Sequence, residues 1–150
     1  MLAEAIYTPP GTPAPPRHII RHPPLSFYAE GWGRAHDAGF IAIDANKCVP
    51  VGAAWMRMFS KERPGYGFVS ESIPELSIAV KQSYRGRGIG TRLMIKLIGL
   101  AQAEYPAICL SVATENPAVR LYKRLGFRQL KENGSLIMLL SFPNHNTADF

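Results

Sequence analysis

A strand, a glycine-rich turn and a helix follow one another without interruption in the middle of this sequence. The strand, Pro74–Val80, alternates strictly, so Glu75 falls on one face and Leu76 on the other. The helix, Thr91–Glu104, carries its leucines along one stripe and ends before Pro106. Because only a short turn separates the two elements, they must pack against each other, which favours a sheet covered by helices.

The remaining pattern predicts further strands and a second helix. The strands are expected at Gly39–Asp44, Val51–Phe59, Ala107–Ala113, Phe127–Leu130 and Ser135–Phe142. The second helix has Asn116 as its N-cap, Pro117 at its first position and Gly126 just after its end. Turns around Asn46-Lys47 and at Asn133-Gly134 make the first and last strand pairs hairpins. The order β-β-β-α-β-α-β-β predicts an α+β fold with a mixed sheet.

The N-terminal part of the chain differs from the rest, because seven of the 13 prolines lie within its first 25 residues. We therefore divide the chain into a Pro-rich segment, residues 1–24, and a folded domain, residues 25–150. The segment begins with a short helical piece, LAEAIY, and continues as extended or irregular chain. Leu25–His36 is expected to form a helix and a turn. Ser60–Ser72 is a long Gly/Pro-rich loop, and loops of this length are usually functional or mobile.

Charge and cysteine content limit the kinds of partner and site. Lys and Arg exceed Asp and Glu by 17 to 11, and the net charge of +6 favours an anionic partner: nucleic acid, acidic lipid or a phosphorylated cofactor. Cys48 and Cys109 are far apart, so we expect reduced thiols, a cytoplasmic protein and no metal site. No apolar run reaches the ~18 residues that span a bilayer, and no signal-peptide pattern is present, which disfavours a membrane partner.

The turn between the strand and the helix, Tyr84–Thr91, is the most informative part of the sequence. Glycines at 86, 88 and 90 let successive N–H groups point towards one place, at the positive end of the following helix. Arg85 and Arg87 add positive charge there, which favours a phosphate ligand. The spacing matches neither the G-K-[ST] loop nor the G-x-G-x-x-G fingerprint. A plain strand-to-helix turn with a basic edge is the alternative.

Two motifs resemble those of the GNAT superfamily of acyl-CoA-dependent N-acetyltransferases. The family's central motif, [QR]-x-x-G-x-[GA] after a strand, is similar to R-G-R-G-I-G at residues 85–90. Its next motif, an apolar strand and then a helix ending in Y-x-x-x-G-F, is similar to LSVATENPAVRLYKRLGF at residues 110–127. The resemblance covers Gly39–Phe142. It implies a strongly twisted mixed sheet, flanked by helices and splayed between the Pro74–Val80 and Ala107–Ala113 strands.

The resemblance also implies that the family's usual first strand is absent, shortened or supplied otherwise, because LAEAIY matches the helix that follows it. Gly39–Asp44 would then be an uncovered sheet edge, which favours pairing with a second copy in a two-fold homodimer. In the alternative, the Pro-rich segment folds over this edge and the protein stays monomeric.

As cofactor, the resemblance implies acetyl-CoA or CoA in the split of the sheet. The backbone N–H groups that would hold its pyrophosphate belong to Arg85, Gly86, Arg87, Gly88, Ile89, Gly90 and Thr91. Backbone groups of Ile78, Ala79 and Val80 would pair with the pantetheine arm, and an N–H near Ala79 or Val80 would stabilise the oxyanion. Asn116 caps its helix on any interpretation, and in the family the same residue often touches the cofactor.

Tyr122 and Glu75 are the candidate catalytic residues. The resemblance implies that Tyr122 is the general acid for the departing sulfur, whereas the alternative is a tyrosine of the core. Glu75, at the start of the strand, could take the amine's proton, or it could be a solvated residue at a strand end. Glu71 is its nearest competitor. Aromatic residues could line an acceptor pocket, or some of them could be ordinary core: Phe27, Tyr28, Trp32 and the Tyr66–Phe68 region.

The function that follows is an N-acetyltransferase that moves acetyl from acetyl-CoA to a primary amine, on a small molecule or a peptide, by direct attack. The alternative is a CoA-binding sensor or interaction module without turnover. Nucleic acid binding is disfavoured, because the aromatic residues are not arranged on one face for stacking.

Overall fold

Six strands form one mixed sheet in the computed structural model, which describes residues 1–143. The strands are β1 (Ala38–Asp44), β2 (Val49–Arg57), β3 (Glu75–Val80), β4 (Ala107–Val112), β5 (Arg128–Glu132) and β6 (Leu136–Ser141). Their order across the sheet is β1-β2-β3-β4-β6-β5, and β3–β4 is the parallel pair. The predicted order of strands and long helices along the chain and the α+β class are confirmed.

The α-helices are α1 (Leu2–Ala5), α2 (Ile89–Glu104) and α3 (Ala118–Arg124), with short 3-10 helices at Arg17–Arg21, Leu25–Tyr28 and Gln82–Tyr84. The expected helix over Leu25–His36 is much shorter, because Gly31 and Gly33 take positive φ values of 60° and 106°. The Pro-rich segment is less extended than expected, since RHIIR between two prolines forms a 3-10 turn. In residues 1–143 no helix is long and apolar enough to cross a bilayer.

The sheet is split between β3 and β4. These two strands share one registered residue pair, Glu75 with Cys109, and the Cys109 N–H donates to the Pro74 carbonyl at 3.0 Å. Beyond that point the strands diverge, whereas β4 stays paired with β6 over its whole length. The split that the family resemblance implies is therefore present, and Glu75 lies at its closed end.

The two faces of the sheet are covered differently. Helix α2 packs on the face that carries Met56 and Leu76, and this side holds the main core with Leu93, Leu97 and Met138. On the opposite face the N-terminal segment lies against the sheet, where side chains of α1 contact a small cluster of Ala53, Trp55 and Ala79. Farther along this segment, the Tyr7 hydroxyl donates to the Glu115 carbonyl at 3.2 Å, just past β4. Residues 1–7 therefore pass from β3 to the end of β4.

Strand β1 is an edge strand, as the sequence predicted. Among residues 1–143 its one strand neighbour is β2, and the side chains of Ile41 and Ile43 are 65% and 63% exposed. The pairing shifts register between Ala42 and Ile43, which bends the edge. An apolar edge of this kind is able to pair with another chain.

A buried arginine fastens the segment before β1 to the sheet. Arg57 is 1% exposed and forms a bidentate pair with Asp37, with N···O distances of 2.9 and 2.6 Å. Its remaining amino group donates to the carbonyls of Phe27 and Glu30 at 2.8 and 2.7 Å. These bonds satisfy the buried charge and fix the chain around Tyr28 over the closed end of the split.

Candidate active site

The glycine-rich turn presents a row of unused N–H groups. Gly86 and Gly88 have φ values of 74° and 78°, and a Cβ on either would meet nothing within 4 Å. The first helical bond of α2 runs from the Arg92 N–H to the Gly88 carbonyl at 3.1 Å. Within residues 1–143, the N–H groups from Gly86 to Thr91 therefore have no protein acceptor. The Arg85 N–H, which was expected to join them, donates instead to the Gln82 carbonyl at 3.2 Å. Such a cluster at a helix N-terminus binds anions.

The two arginines of the turn stabilise its shape. Arg85 Nε donates to the Val80 carbonyl at 2.9 Å, and an Arg87 amino group donates to the Ser83 carbonyl at 3.2 Å. The Arg87 guanidinium also lies over the Tyr84 ring, 5.1 Å from its centroid. Their positive charges remain at the exposed surface beside the free N–H groups, which adds to the attraction for a phosphate.

The register of β3 decides which of its backbone groups face the split. Just after β3, the Lys81 N–H donates to a β2 carbonyl at 2.8 Å, and a Cβ on Gly52 would lie 3.1 Å from the Ala79 oxygen. Because backbone groups alternate along an antiparallel strand, Ala79 faces β2, whereas Ile78 and Val80 face the split. Of the three residues expected to pair with a pantetheine arm, Ile78 and Val80 are therefore the better placed.

Glu75 lies at the closed end of the split and is almost completely buried, at 2% exposure. Its Oε1 accepts hydrogen bonds from the Tyr28 hydroxyl at 2.5 Å and from the Gly67 N–H at 3.0 Å. Its Oε2 is buried and has no partner within residues 1–143. Burial raises the pKa of Glu75 to about 7, although these two bonds act to lower it. Glu75 is therefore not a solvated residue at a strand end, and near neutral pH it is able to accept a proton.

The loop between β2 and β3 covers Glu75 with two glycines. A Cβ on Gly65 would collide with Glu75 Oε2 and would lie 2.8 Å from the Tyr28 hydroxyl oxygen. A Cβ on Gly67 would lie 2.8 Å from the backbone of Leu110 on β4. Glycine is needed at both positions because the loop backbone lies directly against the carboxylate and against β4.

Glu71, the competing candidate for the base, lies in the same loop but is exposed, and its carboxylate accepts a hydrogen bond from the Lys61 N–H at 3.1 Å. It has neither the burial nor the position in the split that Glu75 has. Glu75 is therefore the better placed of the two carboxylates.

Tyr122 is a buried residue of α3 that packs against Phe127, with ring centroids 6.0 Å apart. Burial raises the pKa of its phenol to about 12. Its hydroxyl makes no hydrogen bond with any other group in residues 1–143, so it is available to a ligand. The Tyr122 ring is part of the core, as the alternative to a catalytic role expected. A ring in the core and a hydroxyl that acts as an acid are compatible.

The side-chain oxygen of Asn116 accepts a hydrogen bond from the Ala118 N–H at 2.9 Å, which is the predicted capping contact, but α3 begins at Ala118, so Pro117 stands just before the helix and not at its first position. The aromatic residues proposed for an acceptor wall have different environments. Trp32 is half exposed and lies over the Arg57 guanidinium, and the Phe27 ring contacts Arg63. Tyr28 is buried and bonded to Glu75, a contact that the sequence did not predict.

Of the contacts around Glu75 and Arg57 that the sequence analysis did not predict, one was indicated weakly by the sequence. A lone arginine in the apolar strand VGAAWMRMF must find a partner when buried, and Arg57 finds it in Asp37. No comparable signal exists for the bond between Tyr28 and Glu75 or for the packing of Gly65, because these contacts join distant parts of the chain.

The comparisons with known proteins agree with this arrangement. A family model described as the acetyltransferase (GNAT) family matches residues 4–127. The chain therefore belongs to the GNAT acetyltransferase family.

Individual relatives match parts of the chain. It is 42% identical over 59 residues to an N-alpha-acetyltransferase of Sulfurisphaera tokodaii, a match that covers 37% of this chain and 35% of that relative. A GCN5-related N-acetyltransferase from Kribbella flavida is 26% identical with a TM-score of 0.59, covering 71% of this chain and 68% of the other. A phosphinothricin acetyltransferase from Sinorhizobium meliloti, solved in complex with AcCoA, is 22% identical with a TM-score of 0.56, covering 69% and 60%.

Replacing Gly88 with valine should abolish binding of CoA, measured by calorimetry. A Cβ at Gly88 would stand in open space within the turn, where the cofactor is expected to bind, and the φ of 78° is a conformation that a β-branched residue rarely adopts. Gly134→Val is the matched control, because Gly134 has a similar φ of 71° but lies in the hairpin between β5 and β6. Unchanged affinity in Gly88→Val, or an equal loss in both variants, would contradict the placement of the pyrophosphate at this turn.

Proposed function

We propose that this protein is an N-acetyltransferase that moves an acetyl group from acetyl-CoA to a primary amine by direct attack in a ternary complex. One observation carries the proposal: free N–H groups at the start of α2 lie beside a split sheet whose closed end holds a buried carboxylate with a pKa of about 7. A phosphate-rich acyl carrier and a proton-accepting group would therefore meet in one cleft. Membership of the family supports acetyl transfer in general, and the primary amine as acceptor is part of this proposal.

The residues present fit acetyl-CoA, which supplies an acyl group activated as a thioester. The N–H groups from Gly86 to Thr91 would bind the pyrophosphate, with the charge of Arg85 and Arg87 beside them. Ile78 would bond the pantetheine arm as an added strand in the split, because the Val80 carbonyl already accepts a hydrogen bond from Arg85 Nε. Asn116, whose side chain caps the start of α3, would contact the cofactor as the family resemblance implies.

Glu75 would remove a proton from the ammonium form of the acceptor, because an ammonium nitrogen has no lone pair with which to attack. The proton would move from the amine nitrogen to the carboxylate, directly or through one water. The Val80 N–H would stabilise the negative charge that develops on the thioester carbonyl oxygen.

Tyr122 would donate its phenolic proton to the departing thiolate. A pKa of about 12 keeps the phenol protonated at neutral pH, so the proton is present when the thiolate forms. The absence of a hydrogen-bond partner within residues 1–143 leaves the hydroxyl free for this contact.

A CoA-binding module without turnover is the second candidate, and the burial of Glu75 favours it. The loop with Gly65 and Gly67 closes over the carboxylate, so an amine reaches Glu75 only after the loop moves or through an intervening group. A chain that kept the fold and the turn but lost turnover would look similar at the cofactor site.

Release of free thiol on mixing the protein with acetyl-CoA and a panel of primary amines distinguishes the two candidates. The panel includes an aromatic amine, a polyamine, lysine and a short peptide with a free N-terminus. Thiol release that depends on one of these amines supports the enzyme. Tight binding of CoA without release for any amine supports the module.

We expect the protein to form a two-fold dimer through the exposed edge of β1. Ile41→Lys should lower the dimer fraction in light scattering at micromolar concentration, because a charge beside an edge strand opposes strand pairing. Ile95→Lys is the matched control, since Ile95 is 56% exposed but lies on α2. A monomeric parent protein whose Gly39–Asp44 amides resist hydrogen exchange would contradict the dimer and support the Pro-rich segment as the cover.

A further inference from the structure

We propose that Tyr28 is a positioning residue for the base: its hydroxyl holds Oε1 of Glu75 and leaves Oε2 as the oxygen that accepts the proton. The inference rests on the proposed function in one respect, namely that Glu75 is the base. The Tyr28–Glu75 contact itself is testable without any substrate.

The two carboxylate oxygens of Glu75 have different surroundings. Oε1 is occupied by the Tyr28 hydroxyl at 2.5 Å and by the Gly67 N–H at 3.0 Å. Oε2 is equally buried but has no partner within residues 1–143, and it faces the backbone of Gly65. A buried carboxylate oxygen without a donor is the one with a free lone pair, so a proton is accepted there at least cost.

Tyr28 is itself fixed on several sides. The Tyr66 N–H donates to its hydroxyl oxygen at 2.7 Å, and the Trp55 indole N–H donates to its main-chain carbonyl at 3.0 Å. Its ring packs against those of Phe59 and Tyr66, with centroids 5.0 and 6.3 Å away. With its own oxygen accepting from Tyr66, the hydroxyl proton is directed to Glu75.

Tyr28 also connects the carboxylate to the surface. It lines a groove of about 1000 Å³ that the N-terminal segment, β1 and β2 enclose, together with Trp32 and Trp55. The same residue therefore contacts the buried carboxylate and lines a groove open to solvent. A substitution at Tyr28 should change the ionisation of Glu75 without changing the glycine-rich turn.

The groups around Glu75 make the ionisation of its carboxyl depend on the hydrogen bond from the Tyr28 hydroxyl. The titratable groups near it are Tyr28, Cys109 on β4 and Arg57, its registered neighbour on β2. The Arg57 guanidinium is engaged with Asp37, and burial raises the pKa of the Cys109 thiol, which stays neutral. The bonds from Tyr28 and Gly67 are therefore what stabilises the ionised carboxylate against its burial.

The test is a pH titration of the Glu75 carboxyl carbon by NMR in protein labelled with ¹³C-glutamate, the signal being assigned by its loss in Glu75→Gln. In the parent protein the midpoint should lie near the pKa of about 7. Tyr28→Phe should raise the midpoint by about one unit or more, because the ionised form loses a charge-assisted bond. Tyr66→Phe is the matched control: it removes a neighbouring hydroxyl that does not contact Glu75, and its midpoint should not move.

A midpoint in Tyr28→Phe equal to that of the parent would overturn the proposal. Should Tyr28→Phe not fold, the hydroxyl proton of Tyr28 in the parent protein gives the second readout. A strongly downfield proton signal that is lost in Glu75→Gln supports the contact, and its absence overturns it.

With an amine that turns over, the rising limb of kcat/KM at low pH, which reports the ionisation of the base, should shift to higher pH in Tyr28→Phe by the same amount as the NMR midpoint, with the KM for acetyl-CoA unchanged. An NMR shift without a shift in the rate profile would show that Tyr28 holds Glu75 but that Glu75 is not the base. Absence of turnover with every amine would refute the proposed function and leave the NMR result to decide the role of Tyr28.

Discussion

Glu75→Gln should lower kcat/KM for an accepted amine by about 10²–10⁴-fold near neutral pH, because the amide cannot take the proton of the ammonium. The carboxylate, with its pKa of about 7, is ionised only above that pH, so activity of the parent should rise as pH increases through 7. In the variant the loss should shrink above about pH 10.4, where an amine with a reference pKa near 10.4 is mostly neutral. The measurement is thiol release from acetyl-CoA over this pH range.

Glu71→Gln is the comparison that assigns the base. Glu71 is exposed and its carboxylate bonds a main-chain N–H of its own loop, so its loss should leave the pH profile unchanged. A parallel profile in Glu75→Gln, together with a large loss in Glu71→Gln, would move the base to Glu71. Parallel profiles in both variants would leave water as the proton acceptor.

Tyr122→Phe should reduce kcat by about 10²–10⁴-fold, with little change in the KM for acetyl-CoA, because the hydroxyl acts mainly as the thiolate forms. Burial keeps the phenol protonated up to about pH 12, so the parent should show no loss of activity from Tyr122 in the alkaline range below that value. Steady-state kinetics with varied acetyl-CoA measure both parameters.

Tyr105→Phe is the matched control for Tyr122. Tyr105 is also buried, but its hydroxyl bonds His36 at 3.1 Å next to the end of α2, away from the split. Removing that hydroxyl should leave kcat unchanged. An equal kcat in Tyr122→Phe and the parent would mean that the thiolate leaves without a protein acid.

The order of elements was predictable because it depends on local signals. The alternation of β3, the proline after α2 and the cap at Asn116 each act within a few residues, and the structure confirms all three. The motif at 85–90 likewise gave the turn, since positive φ values at Gly86 and Gly88 follow from residue type.

The surroundings of Glu75 were not predictable, because they depend on contacts between distant residues. Tyr28 is 47 residues from Glu75 in the sequence, and Tyr7 is 108 residues from Glu115. The alternation of β3 placed Glu75 on the correct face but could not show that two loop glycines cover it. Whether a carboxylate at a strand end is solvated or buried depends on such tertiary packing.

The single residue pair that joins β3 to β4 divides the sheet into two blocks, β1–β3 and β4–β6. Since few backbone bonds join the blocks, they are held together mainly by the core beneath α2, which packs against Met56 and Leu76 on one side and Met138 on the other. A ligand bridging them adds RT ln(1 + [L]/Kd) to the cost of separation, about 2.7 kcal/mol when its concentration is a hundred times Kd. The resistance of this protein to proteases would then increase with the concentration of its acyl donor.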